Sequence, residues 1–355
     1  MHGGVAADER ALMEALLRDG YGVPANHITR IDQGSTNANF VVRTRGPSFL
    51  LRRYARPGQS PWATQSHRRE AMLYEHGVLV YAQERGIPCI APLPDRHGET
   101  LVEADGDAYA LFPYVVSQRP TLPREVIGAR AARLLARYHQ VMEDYPVTSQ
   151  RPGWGLAGEL VSWFHVASLG VGRVPDLLAW LTEAPGDSDA HEYAREQAAR
   201  IADLVRYVGD RHPAQAYARY PVIVNHGDYI LKNIGETECG LVLYDWDCCV
   251  RELRVYDLAM LVGYTGGEEH TARNIDPRIA RSVVQAYRET ASMSVEELAL
   301  VPYMLVAFRL RFLLNNLGRL MTTGSCRPTL RRDLEGMRWL CDHERAIVAM
   351  LTATA

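Results

Sequence analysis

The chain has 355 residues, roughly two domains at the ~150 residues typical of one, and its 47% hydrophobic and 23% charged content is a globular balance that excludes a mainly disordered or fibrous protein. Its 39 Lys and Arg nearly cancel its 42 Asp and Glu, so charge gives no support for a protein that coats nucleic acid or a membrane surface. No run reaches the ~18 apolar residues of a membrane span, Asp8 and Glu9 stand where a signal peptide needs an apolar core, and six cysteines lack CxxC spacing, all of which points to a cytoplasmic protein with reduced thiols.

A first helix is expected over 8–19, where Leu12, Ala15 and Leu16 repeat at helical spacing before Gly20 and Gly22. The period then changes to short strands over 28–31, 39–44 and 49–54, with turns at Gln33-Gly34 and Gly46-Pro47. A long helix over 66–85 stops at Gly86 and Pro88. Strands over 100–104 and 107–112 join through Asp105-Gly106 as a hairpin. Beyond Pro113 the pattern is helical, over 123–143, 188–209, 277–291, 295–321 and 328–351, interrupted only by strand-like segments between 221 and 247. The expected fold class is α+β, a small sheet lobe with one long helix over 1–115 and a larger, mostly helical lobe over 116–355.

The sharpest signal is His226-Gly227-Asp228, with Asn233 five positions after the Asp and Asp245 twelve beyond that, in Leu243-Tyr244-Asp245-Trp246-Asp247. Phosphoryl transfer from a nucleotide needs one carboxylate to orient the attacking hydroxyl and accept its proton, plus an amide and a second carboxylate to hold Mg²⁺ against the phosphates. Loop Asp and Asn also cap turns, but this triplet, this interval and a following strand are rarely met together by chance. Asp247 is a rival to Asp245, which is favoured because it ends the apolar strand directly.

HGDYILKN followed by LVLYDWD resembles the aminoglycoside phosphotransferase and choline kinase-like family, relatives of protein kinases. The run from Asp245 to Ala259 is similar to the family's stretch between its metal aspartate and a buried structural aspartate, here Asp257. The resemblance implies a protein-kinase-like bilobal fold with ATP in the cleft, Asp228 as catalytic base, Asn233 and Asp245 as Mg²⁺ ligands, and His226 as a brace for the loop. It departs from the family between Asp228 and Asn233, where Ile230 replaces a frequent His-Pro or basic residue and Lys232 precedes Asn233.

ATP also needs a cation on its phosphates, fixed by a carboxylate. Strand alternation places Arg52 and Arg53 on opposite faces, and the family pattern favours Arg52, which can grip phosphate in bidentate fashion. The partner is expected to be Glu75, eleven positions before Gly86, with Glu70 as rival. The turn from Gln33 to Asn39 resembles the family's phosphate-covering loop, which makes Ser35 and Asn37 nucleotide contacts, and Phe112 and Tyr114 fall where the resemblance puts the hinge that meets adenine.

Acceptor specificity is expected from about 256 onward. The acidic turn Tyr264 to His270 could receive a cationic amino sugar, while Arg309 and Arg311, on an otherwise apolar helix, could pair with acid or grip a substrate carboxylate. The leading expectation is an ATP- and Mg²⁺-dependent phosphotransferase acting on a hydroxyl of a small polar molecule, an aminoglycoside-like or other hydroxylated antibiotic first. Homoserine or choline-type metabolites, a stress-type Ser/Thr protein kinase, and a non-catalytic nucleotide-binding regulator are the alternatives.

Overall fold

The computed structural model describes residues 2–3, 6–31, 37–55, 68–146, 151, 174–183, 186, 188–324 and 329–353. The chain divides into two compact units, Met1–Gln118 with Glu236–Tyr244, and Arg119–Gly235 with Asp245–Ala355. The first therefore runs slightly past the boundary drawn from sequence, and it takes in a later segment.

The first unit contains β1 (His2–Gly3), α1 (Ala7–Tyr21), β2 (His27–Ile31), β3 (Ala38–Arg43), β4 (Phe49–Arg53), α2 (Arg68–Glu84), β5 (Val102–Ala104) and β6 (Asp107–Pro113). Its sheet is antiparallel in the order β1-β2-β3-β4-β6-β5. Strand alternation gives the sheet an apolar face, on which Phe40, Val42, Leu51, Tyr109 and Leu111 pack with Met13, Leu16 and Leu17 of α1. Asp105 and Gly106, at φ 50° and 74°, make the tight β5–β6 turn with the left-handed backbone such hairpins favour. Gly22, at φ 69°, caps α1 through Arg18 and Leu17 carbonyls.

The second unit is built from α3 (Arg124–Glu143), α4 (Val174–Glu183), α5 (Asp189–Glu196), α6 (Ala198–Asp210), α7 (Ala214–Arg219), β7 (Val222–Asn225), β10 (Val250–Leu253), α8 (Val255–Gly266), α9 (Pro277–Arg288), α10 (Val295–Leu298), α11 (Val301–Thr323), α12 (Leu330–Asp342) and α13 (Glu344–Thr352). Between β7 and β10 in the chain come the hairpin strands β8 (Ile234–Thr237) and β9 (Gly240–Leu243), which from Glu236 onward belong to the first unit. Three helices expected as single elements are broken: 188–209 at Gln197, 295–321 before Pro302, and 328–351 at His343. Pro302 sits in the first turn of α11, where its missing N–H costs nothing. Helix α8 was not expected; eleven of its residues are buried, so it carries no amphipathic period to read. Among the described residues no helix is long and apolar enough to cross a membrane.

Candidate active site

Strand β7 pairs antiparallel with β10 and delivers the chain into the loop His226-Gly227-Asp228. Gly227 has φ +86°, and a Cβ there would overlap the backbone carbonyl of Cys248. Only glycine fits that approach. The fully buried carboxylate of Asp257, in the first turn of α8, accepts the backbone N–H groups of His226 (2.6 Å) and Gly227 (2.9 Å). His139 Nε2 lies 3.6 Å from the same carboxylate, while its Nδ1 meets the Tyr287 hydroxyl at 2.8 Å. Burial pushes the His139 pKa down, so this ring is a neutral prop. Asp257→Ala orphans two buried amides and is expected to lower stability by about 3 kcal/mol, read as a lower denaturation midpoint; an unchanged midpoint contradicts this role.

Asp228 and Asn233 converge. Asn233 Nδ2 donates to the backbone oxygen of Asp228 (2.9 Å) and to its Oδ2 (2.8 Å). Asn233 sits on a 3-10 turn, Leu231–Asn233, that packs against α8. Lys232 Nζ, on a half-exposed side chain, lies 3.7 Å from Asp228 Oδ2. His226 is fully buried, its Nδ1 accepts the Asp228 N–H at 3.3 Å, and its ring packs against Tyr229 and Trp246. Its ring is thus held inside the loop rather than at the surface.

Asp245 does not follow its strand directly: β9 ends at Leu243, and Tyr244 intervenes. The alternation Asp245-Trp246-Asp247 is exposed, buried, half-buried. Trp246 is the anchor, 4.5 Å from the His226 ring and 5.3 Å from that of Tyr138 between centroids. Asp245 is held at φ +62°, a left-handed conformation that Asp tolerates at a cost of about 1 kcal/mol. Burial and the nearby carboxylates of Asp228, Asp245 and Asp247 push the Cys248 thiol well above its ordinary range. The raised pKa makes Cys248 a sluggish target for alkylation. The neighbouring Cys249 is buried.

In the first unit, Arg53 turns to Glu9 of α1 (2.6 Å), and Arg52 turns the other way, to Glu75 of α2 at 3.5 Å. Glu75 is 1% exposed, whereas Glu70 is exposed at the start of α2. The Arg52 guanidinium also lies over the Phe112 ring, 5.3 Å from its centroid, and its Nε donates to Asn39 Oδ1 at 3.3 Å. Asn39 is the cross-strand partner of Arg52, so the β3–β4 register carries the signal that composition alone does not.

Asn37 Oδ1 accepts the Ala55 N–H at 3.0 Å, which ties the chain entering β3 to the end of β4. Ser35 lies outside the described residues. Phe112 is buried, and Tyr114 donates its N–H to Ser48 O (3.0 Å) while the Arg43 guanidinium lies over its ring, 5.3 Å from the centroid.

The acceptor-side expectations fare unevenly. Tyr264, Thr265 and Gly266 end α8 and are not a turn. Glu268 closes on its own loop through Thr271 (2.6 Å), Arg273 (2.9 Å) and Asn274 (2.8 Å), and these bonds hold its carboxyl below the ordinary range. Its carboxylate is thus engaged within its own loop. Arg309 pairs with Asp333 at 3.4 Å and lies over the Tyr264 ring, so it takes the acid-paired alternative; Arg311 is buried on the same helix. Tyr303, Phe308 and Phe312 are packed among core residues.

Residues 27–296 match the profile of APH, the Phosphotransferase enzyme family. The chain belongs to this family and is a phosphotransferase. A homoserine kinase of Rhodopseudomonas palustris (strain HaA2) is 24% identical over 290 residues, 81% of this chain and 77% of that protein. An amicoumacin kinase solved with AMP-PNP and Ca²⁺ superposes with a TM-score of 0.61 at 13% identity, covering 96% of this chain and 94% of that one. A microcompartment-associated aminopropanol kinase gives 0.60 at 18% identity, over 97% and 98%. These likenesses place the chain in the protein-kinase-like fold of aminoglycoside phosphotransferases and choline and ethanolamine kinases.

Proposed function

We propose that the chain is an ATP- and Mg²⁺-dependent kinase of a small hydroxylated molecule, with Asp228 as catalytic base. The observation that carries this reading is the Asp228–Asn233 contact of 2.8 Å on a loop clamped from below by Asp257. Asp228 would accept a hydrogen bond from the acceptor hydroxyl and take its proton as the oxygen attacks the γ-phosphorus. With its Nδ2 committed to Asp228, Asn233 presents Oδ1, and Asp245 presents a carboxylate; both are hard oxygen donors of the kind that suit Mg²⁺. A cation held there would draw charge from the β and γ phosphate oxygens. Arg52, steadied by Glu75 and Asn39, would meet the nucleotide phosphates, and Phe112 and Tyr114 would stand beside adenine.

For the acceptor, an amino alcohol or hydroxy amino acid of the homoserine type comes first, because the curated relative named homoserine kinase aligns over most of both chains. A hydroxylated antibiotic comes second, favoured by the fold match to an amicoumacin kinase. The test is ADP release from Mg-ATP across homoserine, aminopropanol, choline, spectinomycin and aminoglycosides. Turnover with a member of the first three supports the leading acceptor, and turnover confined to antibiotics moves the assignment to the second. Phosphorylation of peptides alone would overturn the small-molecule reading.

A further inference from the structure

Directly beside the Arg52–Glu75 pair, a second and entirely uncharged link joins the sheet to α2. Tyr54 lies two residues after Arg52, so strand alternation turns both to the same side. Their partners, His76 and Glu75, are adjacent on α2, about 100° apart around its axis. The Tyr54 hydroxyl meets His76 Nε2 at 2.7 Å, and His76 Nδ1 meets the Thr100 hydroxyl at 2.9 Å. His76 is 1% exposed and sits edge-on to Phe112, the same ring that underlies the Arg52 guanidinium. Burial, with a smaller push from Arg52, drives its pKa down to about 3. The ring is therefore neutral, with one nitrogen donating and the other accepting, as a bridge between two hydroxyls requires.

An ion pair 3.5 Å long, made by two flexible side chains, does not by itself fix the rotation of a helix. Two hydrogen bonds from a rigid ring in the adjacent position do. We propose that His76 is a positioning residue for nucleotide binding: by bridging Tyr54 and Thr100 it sets the rotation of α2 at which Glu75 meets Arg52. The inference rests on the reading that Arg52 and Glu75 serve the nucleotide phosphates.

The test measures the dissociation constant of Mg-AMP-PNP and the melting temperature without nucleotide, on the full chain. His76→Phe keeps a ring of similar size and removes both bonds; Tyr54→Phe removes a single hydroxyl and guards against a misfolded variant. Each is expected to weaken nucleotide binding about five-fold, the effect of one ordinary hydrogen bond. In a Glu75→Gln background the same changes should add less than about two-fold, since their effect passes through Glu75. A lower melting temperature with unchanged affinity, or a full additional loss on top of Glu75→Gln, overturns the proposal. If Glu75→Gln itself leaves affinity unchanged, the nucleotide reading of the pair fails and the positioning role fails with it. If Glu75→Gln weakens binding and the other two variants do not, only the positioning role is lost.

Discussion

Replacing Asp228 with Asn is expected to slow phosphoryl transfer by at least about 10²-fold while leaving nucleotide affinity within about three-fold of the parent. The side chain keeps its size, so Asn233 still finds an oxygen to bond, and Asp257 still clamps the backbone one residue earlier. What disappears is the negative charge that, in the proposed role of Asp228, orients a hydroxyl and accepts its proton. Asp228→Ala should lose as much in rate and also release Lys232 from its 3.7 Å contact. Pre-steady-state and steady-state rates with any accepted hydroxyl compound measure this directly, and turnover within ten-fold of the parent contradicts the assignment.

Gly227→Ala should be comparably damaging for a different reason. The new methyl would overlap the Cys248 carbonyl, and neither partner can rotate away because the obstacle is backbone. Either the loop bearing Asp228 or the segment behind Asp245 must shift by about an ångström, a displacement that costs on the order of 10²-fold in rate. Gly86→Ala is the control: it shares a left-handed backbone, φ +79°, but meets nothing within 4 Å. It should cost only the conformational penalty of about 1 kcal/mol and leave activity intact. If the two variants behave alike in rate and in melting temperature, the close approach at Gly227 has no functional weight.

Much of this site was legible in the chain because it rests on local rules. Period-two alternation is enough to put Arg52 and Arg53 on opposite faces, and the folded chain gives them Glu75 of α2 and Glu9 of α1 as partners. The HGD loop and Asn233 form a contact between residues five apart, which spacing can suggest. Contacts made across long sequence separations were hidden. Nothing in the local pattern around His139 announces that it will prop Asp257, or that Tyr287 will hold it from behind. Apart from Asp257 the buried α8 reads as a mostly apolar run without a polar face, so the helix end at Gly266 looked like the beginning of a surface turn. Glu268 likewise looked open to a ligand, until the folded loop brought Arg273 and Asn274 onto it. His76 is a similar instance: a histidine on a helix has no distinguishing spacing, and only the partners at Tyr54 and Thr100 give it a task.

The most direct test of the central claim is titration of AMP-PNP into the parent chain, Asn233→Ala and Asp245→Ala, each with Mg²⁺ and with chelator. The parent should bind markedly tighter with metal, and both variants should lose most of that gain while keeping the metal-free affinity. An unchanged metal-dependent gain in both variants would contradict the account.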